Sequence, residues 1–162
     1  MPLIGLGTAQ NGTDLAVSTI ITTTDTLTSG AGVGDYSPIP PLASFGPATL
    51  DLTDLAAFAL SNVGFGSFDA GAGSFVVSQS PNFLDVFLLG VFTPGPGLAA
   101  GLDPTPTSLR ISLNQSGASI SMAITLNTPP APPNNQVPEP GTWVLMSIGT
   151  LGLLGYGWRR RS

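Results

Sequence analysis

The chain of 162 residues contains no cysteine, no histidine and no lysine, and its only glutamate is Glu139. Without histidine and cysteine it cannot build a Ser–His–Asp or Cys–His catalytic site, and it lacks the ligands that zinc and most transition metals prefer. Without lysine it has no P-loop and no residue for a Schiff base. The absence of cysteine also excludes a disulfide framework. We therefore expect a body that is not an enzyme and that holds neither a metal nor a cofactor.

Charged side chains are scarce as well, at 8% of the chain against about 25% in typical soluble proteins. Hydrophobic residues make up 42%, which is enough for a packed core and argues against disorder throughout the chain. Residues 1–136 contain eight aspartates against one arginine, Arg110, and so carry a net charge of −7. Because this acidic body repels phosphate backbones, nucleic acid is not expected as a partner.

Short apolar stretches separated by glycine, proline and polar residues predict a mainly β body. Residues 30–47 are rich in proline and glycine and are predicted to form a loop. Residues 54–60 are compatible with one helical turn, although a strand is favoured. Residues 82–92 are apolar on both faces apart from Asp85, as expected of a central strand. Besides a hairpin, strands are predicted over residues 15–28, 48–52, 55–62, 64–70, 73–80 and 82–92.

The clearest hairpin is predicted over residues 108–127. Apolar and polar residues alternate along 109–114, and the alternation resumes after a turn at Gln115–Gly117. About eight strands with turns every ~8–12 residues are typical of an antiparallel β-sandwich or jelly roll. We therefore predict such a body over residues 1–127.

Carboxylates offer the remaining route to catalysis or metal binding. Asp51 and Asp54 lie close together in the sequence, whereas Asp69, Asp85 and Asp103 are scattered. No accompanying glutamate or aromatic cleft pattern supports a glycosidase, so these aspartates are interpreted as solvated turn and edge residues. A calcium site built from loop aspartates remains an alternative, although the sequence has no DxDxDG loop.

The threonine-rich residues 22–28 suggest a second alternative. They could present a row of hydroxyl and methyl groups, as ice-binding and glycan-binding surfaces do, but a strand of high β-propensity is the simpler interpretation. The alternative to a passive body is therefore a carbohydrate-, ice- or calcium-binding module of the adhesin type.

The body is followed by an extended spacer and an uncharged stretch. Residues 128–140 contain six prolines, which predicts a polyproline-like segment, with the linker placed at 128–136. Residues 141–158 carry no charge and would span ~27 Å as a helix, close to the ~30 Å of a bilayer core. Aromatic residues lie near both ends, and the arginines that follow mark the cytoplasmic side, which places the body outside. A buried C-terminal helix or strand is the alternative.

The order of these parts resembles the PEP-CTERM protein-sorting signal, over about 26 residues. The resemblance implies an exported protein of a Gram-negative bacterium and an exosortase, a membrane-embedded enzyme that recognises the tail and removes the span. It also implies a transient stay in the inner membrane, delivery to the cell surface or extracellular space, and association with exopolysaccharide, biofilm or floc matrix. The sorting motif would be Val137, Pro138, Glu139 and Pro140; the membrane anchor would include Gly141, Trp143, Leu145, Leu151, Leu154, Tyr156 and Trp158; the cytoplasmic retention signal would be Arg159, Arg160 and Arg161.

Export also requires an N-terminal signal peptide. Residues 1–12 lack a basic start and a long hydrophobic stretch, so we expect the signal peptide to be encoded upstream of Met1. The alternative is a tail-anchored protein with its body in the cytoplasm, which would place the arginines outside, against the positive-inside rule. Together these observations predict an exported, non-catalytic surface or matrix protein carried on an exosortase-type sorting tail.

Overall fold

The structure, a computed structural model, describes residues 1–9, 14–18, 20–23, 27–98, 101–117 and 119–128. Within these ranges the chain forms strands and two short 3₁₀ turns, at Gly34–Tyr36 and Leu55–Ala57. The strands are β1 (Pro2–Ala9), β2 (Ile20–Thr23), β3 (Leu27–Ser29), β4 (Ser44–Phe45), β5 (Thr49–Asp51), β6 (Ala59–Asn62), β7 (Gly66–Ala70), β8 (Phe75–Ser80), β9 (Phe83–Pro94), β10 (Thr105–Ser116) and β11 (Ser119–Asn127).

All described strands belong to one antiparallel sheet, with the order β4-β3-β1-β11-β10-β9-β7-β6. Two long strands each pair with two shorter ones along one edge: β1 with β2 and β3, and β9 with β7 and β8. Strand β5 pairs with β2, just as β4 pairs with β3. Many consecutive strands are neighbours in the sheet, among them β9, β10 and β11, and the last strand, β11, returns to pair with the first.

The two ends of this strand order approach each other, so the sheet is nearly closed. The Gly46 N–H, just after β4, donates to the Ser61 carbonyl of β6 at 3.0 Å. The Asn62 side chain of β6 donates from Nδ2 to the Ser44 carbonyl of β4 at 2.5 Å. These bonds satisfy edge groups that would otherwise be open to pairing with another chain.

The core fills the space that the sheet encloses. The pairs Leu88–Leu109 and Leu109–Leu126 are in register across β9, β10 and β11, and all three side chains are buried. Because side chains alternate between the two faces of a strand, every second residue of these strands points to the same interior. The buried apolar residues, from Leu3 on β1 to Phe68 on β7, form one continuous cluster.

The prediction of a mainly β, antiparallel body is confirmed, with one difference in the arrangement of the sheet. A sandwich or jelly roll has two facing sheets joined by crossing connections, whereas the described strands form a single curved sheet. The predicted hairpin is confirmed as β10 and β11, with Ser116 opposite Ser119. The predicted central strand is confirmed as β9, which pairs along both of its edges.

Other boundaries differ from the predictions. Residues 15–28 do not form one strand, because residues 15–17 form a turn and β2 begins only at Ile20. At this turn the Asp14 carboxylate accepts a hydrogen bond from the Ala16 N–H at 2.8 Å. Residues 55–62 contain both predicted alternatives, a 3₁₀ turn followed by β6. Strand β1 was not predicted, and β4 lies within the predicted loop.

The predicted linker and membrane span, residues 128–136 and 141–158, lie outside the described residues except for Thr128. Among the residues that the structure does describe, no helix has the length and apolar character needed to cross a membrane.

An ion pair joins β9 and β10 on the outer face of the sheet. Arg110 donates from Nε to Asp85 Oδ1 at 3.0 Å and from Nη2 to Asp85 Oδ2 at 2.5 Å. The Ser112 hydroxyl also donates to Asp85 Oδ1, at 3.3 Å. Asp85 is only 4% exposed, whereas 39% of the Arg110 side chain is exposed. The hydrogen bond from Arg110 to Asp85 raises the pKa of the guanidinium further above its usual value, so the guanidinium stays charged.

Replacing Arg110 with methionine should destabilise the protein. Asp85 would remain buried without its charged donor, which should lower the free energy of unfolding by about 1–3 kcal/mol. The double variant R110M/D85L should regain most of this loss, because it also removes the buried charge. Urea unfolding of the variants would measure both effects, and an R110M variant as stable as the parent chain would contradict the prediction.

At Gly90 of β9 the close approach of a neighbouring strand leaves no room for a side chain. A Cβ atom here would overlap the Asp69 carbonyl oxygen and would lie 2.9 Å from Ala70 Cα, both on the neighbouring strand β7. We expect Gly90→Ala to cost about 1–3 kcal/mol in unfolding free energy, since backbone atoms cannot move aside easily. Gly64→Ala is the control, because its nearest neighbour, Asn62 Oδ1, would be 3.4 Å away. Equal thermal stability of the two variants would show that the backbone of β7 shifts to accommodate the added methyl group, and would contradict the prediction.

Candidate functional site

The ends of several strands lie side by side at one end of the sheet. Pairing of Pro2 with Thr125 and of Thr105 with Phe92 places the start of β1, the end of β11, the end of β9 and the start of β10 side by side. The loop with the 3₁₀ turn Gly34–Tyr36 lies at the same end, because Tyr36 packs on Phe92. We call this the Thr128 end of the sheet, since Thr128 follows β11 there.

A pocket of about 180 Å³ opens at the Thr128 end. Tyr36 and Phe92 line it and contact each other edge to face, with ring centroids 5.1 Å apart and planes at 86°. Leu98 and Leu102 add aliphatic surface. Aromatic pairs of this geometry contribute beyond the area that they bury, so the apolar part of the pocket is built from well-packed side chains.

Two exposed carboxylates, those of Asp35 and Asp103, also line this pocket. Asp35 belongs to the 3₁₀ turn and precedes Tyr36 directly, and Asp103 lies between β9 and β10. Their negative charge makes the electrostatic potential at the opening more negative and so attracts cations, because the low-dielectric wall beside them focuses the field.

Hydroxyl groups form a hydrogen-bonded chain along one side of the pocket. Thr107 Oγ1 donates to the Thr105 carbonyl at 3.0 Å. Because that donation uses the proton of Thr107, Thr128 donates to Thr107 Oγ1, at 2.8 Å. The Tyr36 hydroxyl then donates to Thr128 Oγ1. Thr105 Oγ1 in turn donates to the Asp103 carbonyl at 2.8 Å, so each of these four hydroxyl protons is donated within the protein.

The hydrogen-bonded chain of hydroxyl groups holds the side chain of Thr128 against the rest of the body. Thr128 is the last described residue, and Thr107, to which it donates, is buried completely. Tyr36 is 7% exposed, and its burial raises the pKa of the phenol above 10.0, the ordinary value. The neutral phenol is therefore the form that the native structure favours.

The aspartates considered from the sequence do not assemble into a catalytic or metal site. Asp51 Oδ1 accepts the Thr53 hydroxyl proton at 2.6 Å and the Thr53 N–H at 2.8 Å, and these bonds lower the pKa of Asp51. Asp85 is held by Arg110, and Asp69 is exposed on β7. In the described ranges no group of three or more histidine, cysteine, aspartate or glutamate residues lies close enough to hold a metal ion.

The threonine-rich segment does not form a flat row along one strand in the part that the structure describes. Thr22 is exposed, whereas Thr23, on the opposite face of β2, is buried and accepts the Ala48 N–H on its hydroxyl at 2.9 Å. The register instead places Thr22 opposite Thr49 of β5. The alternative of an ice- or glycan-binding face on residues 22–28 therefore gains no support from β2.

Sequence reasoning missed the pocket. Tyr36 lies in what was predicted to be a plain loop, and Thr107 and Thr128 lie at the margins of predicted elements. The one available signal was a lone tyrosine in a glycine- and proline-rich loop, the kind of buried aromatic residue that anchors an irregular segment. The predicted sorting motif, membrane anchor and retention signal, residues 137–161, lie outside the described residues.

Titration of Tyr36 offers a test of the hydroxyl chain. Because the pKa of Tyr36 is raised in the folded state, the neutral phenol contributes in full to native stability below pH 10. This contribution is lost as the pH rises through the higher native pKa. In a Tyr156→Phe chain, Tyr36 is the only tyrosine. We expect phenolate absorbance to appear at higher pH than in the urea-unfolded chain; a coincident titration would mean that the phenol is solvated.

Comparison with known proteins gives a result for the tail and none for the body. The family model for the PEP-CTERM protein-sorting motif matches residues 136–161. No curated protein and no solved structure matches the chain. The suspected resemblance of the C-terminal region is thus confirmed. The motif implies export and sorting to the cell envelope with processing by an exosortase; the chain carries a PEP-CTERM protein-sorting motif at its C-terminus.

Proposed function

We propose that this protein is a non-catalytic surface or extracellular-matrix protein, held in the inner membrane by its tail until an exosortase removes the span. The observation that carries the proposal is the match of the PEP-CTERM motif to residues 136–161. The motif supports sorting; the fate of the span and the role of the body are the parts that we propose in addition.

The physical chemistry of the tail supports a temporary anchor. Residues 141–158 are uncharged and as a helix would come to ~27 Å, just short of the ~30 Å bilayer core, so the helix would cross it with little tilt. Five glycines in this stretch each cost up to ~1 kcal/mol relative to alanine in a helix interior. A span of this composition is suited to being held briefly and then cleaved. The three arginines would keep its end on the cytoplasmic side.

The prolines before the span support processing. Pro138 and Pro140 flank Glu139 and disfavour a helical conformation for the motif. An extended segment fits the groove of a processing enzyme better than a helix does, because its backbone groups are accessible. The prolines of residues 129–133 would extend the chain between the body and the motif.

The body supports a passive role. Its described core is one continuous cluster, and the gap that the described residues leave between β2, β5, β10 and β11 measures about 10 Å³. This gap has no room for a substrate. The lack of histidine, cysteine and lysine removes the residues most often used as nucleophiles and general bases.

Processing can be tested in a host that exports the chain behind a signal peptide, with and without an exosortase. Mass spectrometry of the mature protein should show a C-terminus upstream of Trp143 only when the enzyme is present. Replacing Pro138, Glu139 and Pro140 with alanine should leave the full-length chain in the membrane fraction. The matched control is alanine at Pro129, Pro130 and Pro132, which alters the linker and keeps the motif.

Two results would contradict the proposal. An exosortase-dependent mature form that still contains residues 141–158 would show that the span is not removed. Equal processing of the motif variant and the linker variant would show that Pro138, Glu139 and Pro140 are not the recognised residues.

A further inference from the structure

We propose that the pocket at the Thr128 end binds small organic cations that carry an ammonium group on a short apolar body. The ammonium group would lie by Asp35 and Asp103, and the apolar part would contact Leu98, Leu102 and the Tyr36–Phe92 pair. This inference concerns the body alone and is independent of how the tail is processed.

The size and wall of the pocket define the apolar part of the ligand. The volume of about 180 Å³ is roughly twelve times the ~15 Å³ that a cavity must offer to hold one water molecule. The pocket therefore has room for a small organic ligand. Leu98 is buried, and Tyr36 and Phe92 are each less than a tenth exposed, so these side chains are already ordered and lose little entropy when a ligand binds.

The hydrogen-bonding groups of the pocket favour a ligand that only donates. The hydroxyl protons of Tyr36, Thr128 and Thr105 are all donated to other protein atoms. A neutral sugar hydroxyl or a carboxylate would find these donors already used. An ammonium group carries three donors and no acceptor, and it would meet two carboxylates that only accept.

The charge of the body also favours a cationic ligand. The body carries a net charge of −7, and its one arginine, Arg110, is paired with Asp85 on the outer face of the sheet. Anions are therefore repelled both by the body as a whole and by the carboxylates of the pocket. Aromatic rings beside the site add attraction for a cation.

A bare metal ion fits less well than an organic cation. Calcium prefers 6–8 oxygen ligands, whereas the described residues that line the pocket supply two carboxylates, and the hydroxyl oxygens there are engaged with one another. Moreover, a metal ion would leave the apolar wall of the pocket without a partner.

The test uses the full chain in a neutral detergent and titrates it with n-butylammonium, 1-butanol, butyrate, glucose and calcium chloride. Methyl NMR of Leu98 and Leu102 reports binding at the pocket. We expect saturable shifts with n-butylammonium, at least about tenfold weaker binding of 1-butanol and none of butyrate, and weaker binding of the cation as salt increases. Equal affinity for 1-butanol, preferential binding of glucose or calcium, or no saturable shift would overturn the proposal.

Asp35→Asn and Asp103→Asn should each weaken n-butylammonium binding by about tenfold, whereas the matched control Asp69→Asn should bind normally. Asp69 is also exposed but does not line the pocket, so all three variants lose one negative charge and differ only in position. Circular dichroism checks that each variant is folded. An equal loss in all three variants would assign the effect to net charge and refute a site at the pocket.

Discussion

The register between β10 and β11 determines which side chains the rest of the sheet can bury. The tight turn between them contains Gly117 at a φ of 62°, which sets Ser116 opposite Ser119. A slip of one residue in either strand would turn its whole apolar set outward. Strand β9 pairs on one side of this hairpin and β1 on the other, so four strands take their inward faces from a single turn. The shorter strands complete the sheet around the core that these four strands form.

The parts of the fold that could be predicted from the sequence are those with local patterns. The hairpin of β10 and β11 shows alternation on both sides of a turn, and β9 is a long apolar run. Strand β1 could not be predicted in this way because its partner is distant: Leu3 pairs with Ile124. Strand β4 is only two residues long and lies between prolines. Its place depends on β3 and β6, which the local sequence does not reveal.

The same distinction applies to the functional regions. The sorting motif is contiguous, so its residue order alone was enough to suggest it, and the family match agrees. The pocket is assembled from residues near 35, 92, 103 and 128, which meet only because β9, β10 and β11 end side by side. Such a site leaves no spacing pattern in the chain. The aspartates illustrate the same limit, since Asp85 is buried and ion-paired while Asp51 ends β5 and accepts a hydrogen bond from the Thr53 N–H.

The position of Arg110 affects the resistance of the body to proteases outside the cell. Proteases of trypsin-like specificity cut after lysine or arginine, and residues 1–136 offer them this one arginine. Arg110 lies in the middle of β10, opposite Phe87 on one side and Thr125 on the other. A protease needs an extended strand that it can pair with, and both edges of this strand are already occupied. The folded body is therefore shielded from a whole class of secreted proteases, and cleavage after Arg110 requires the sheet to open first.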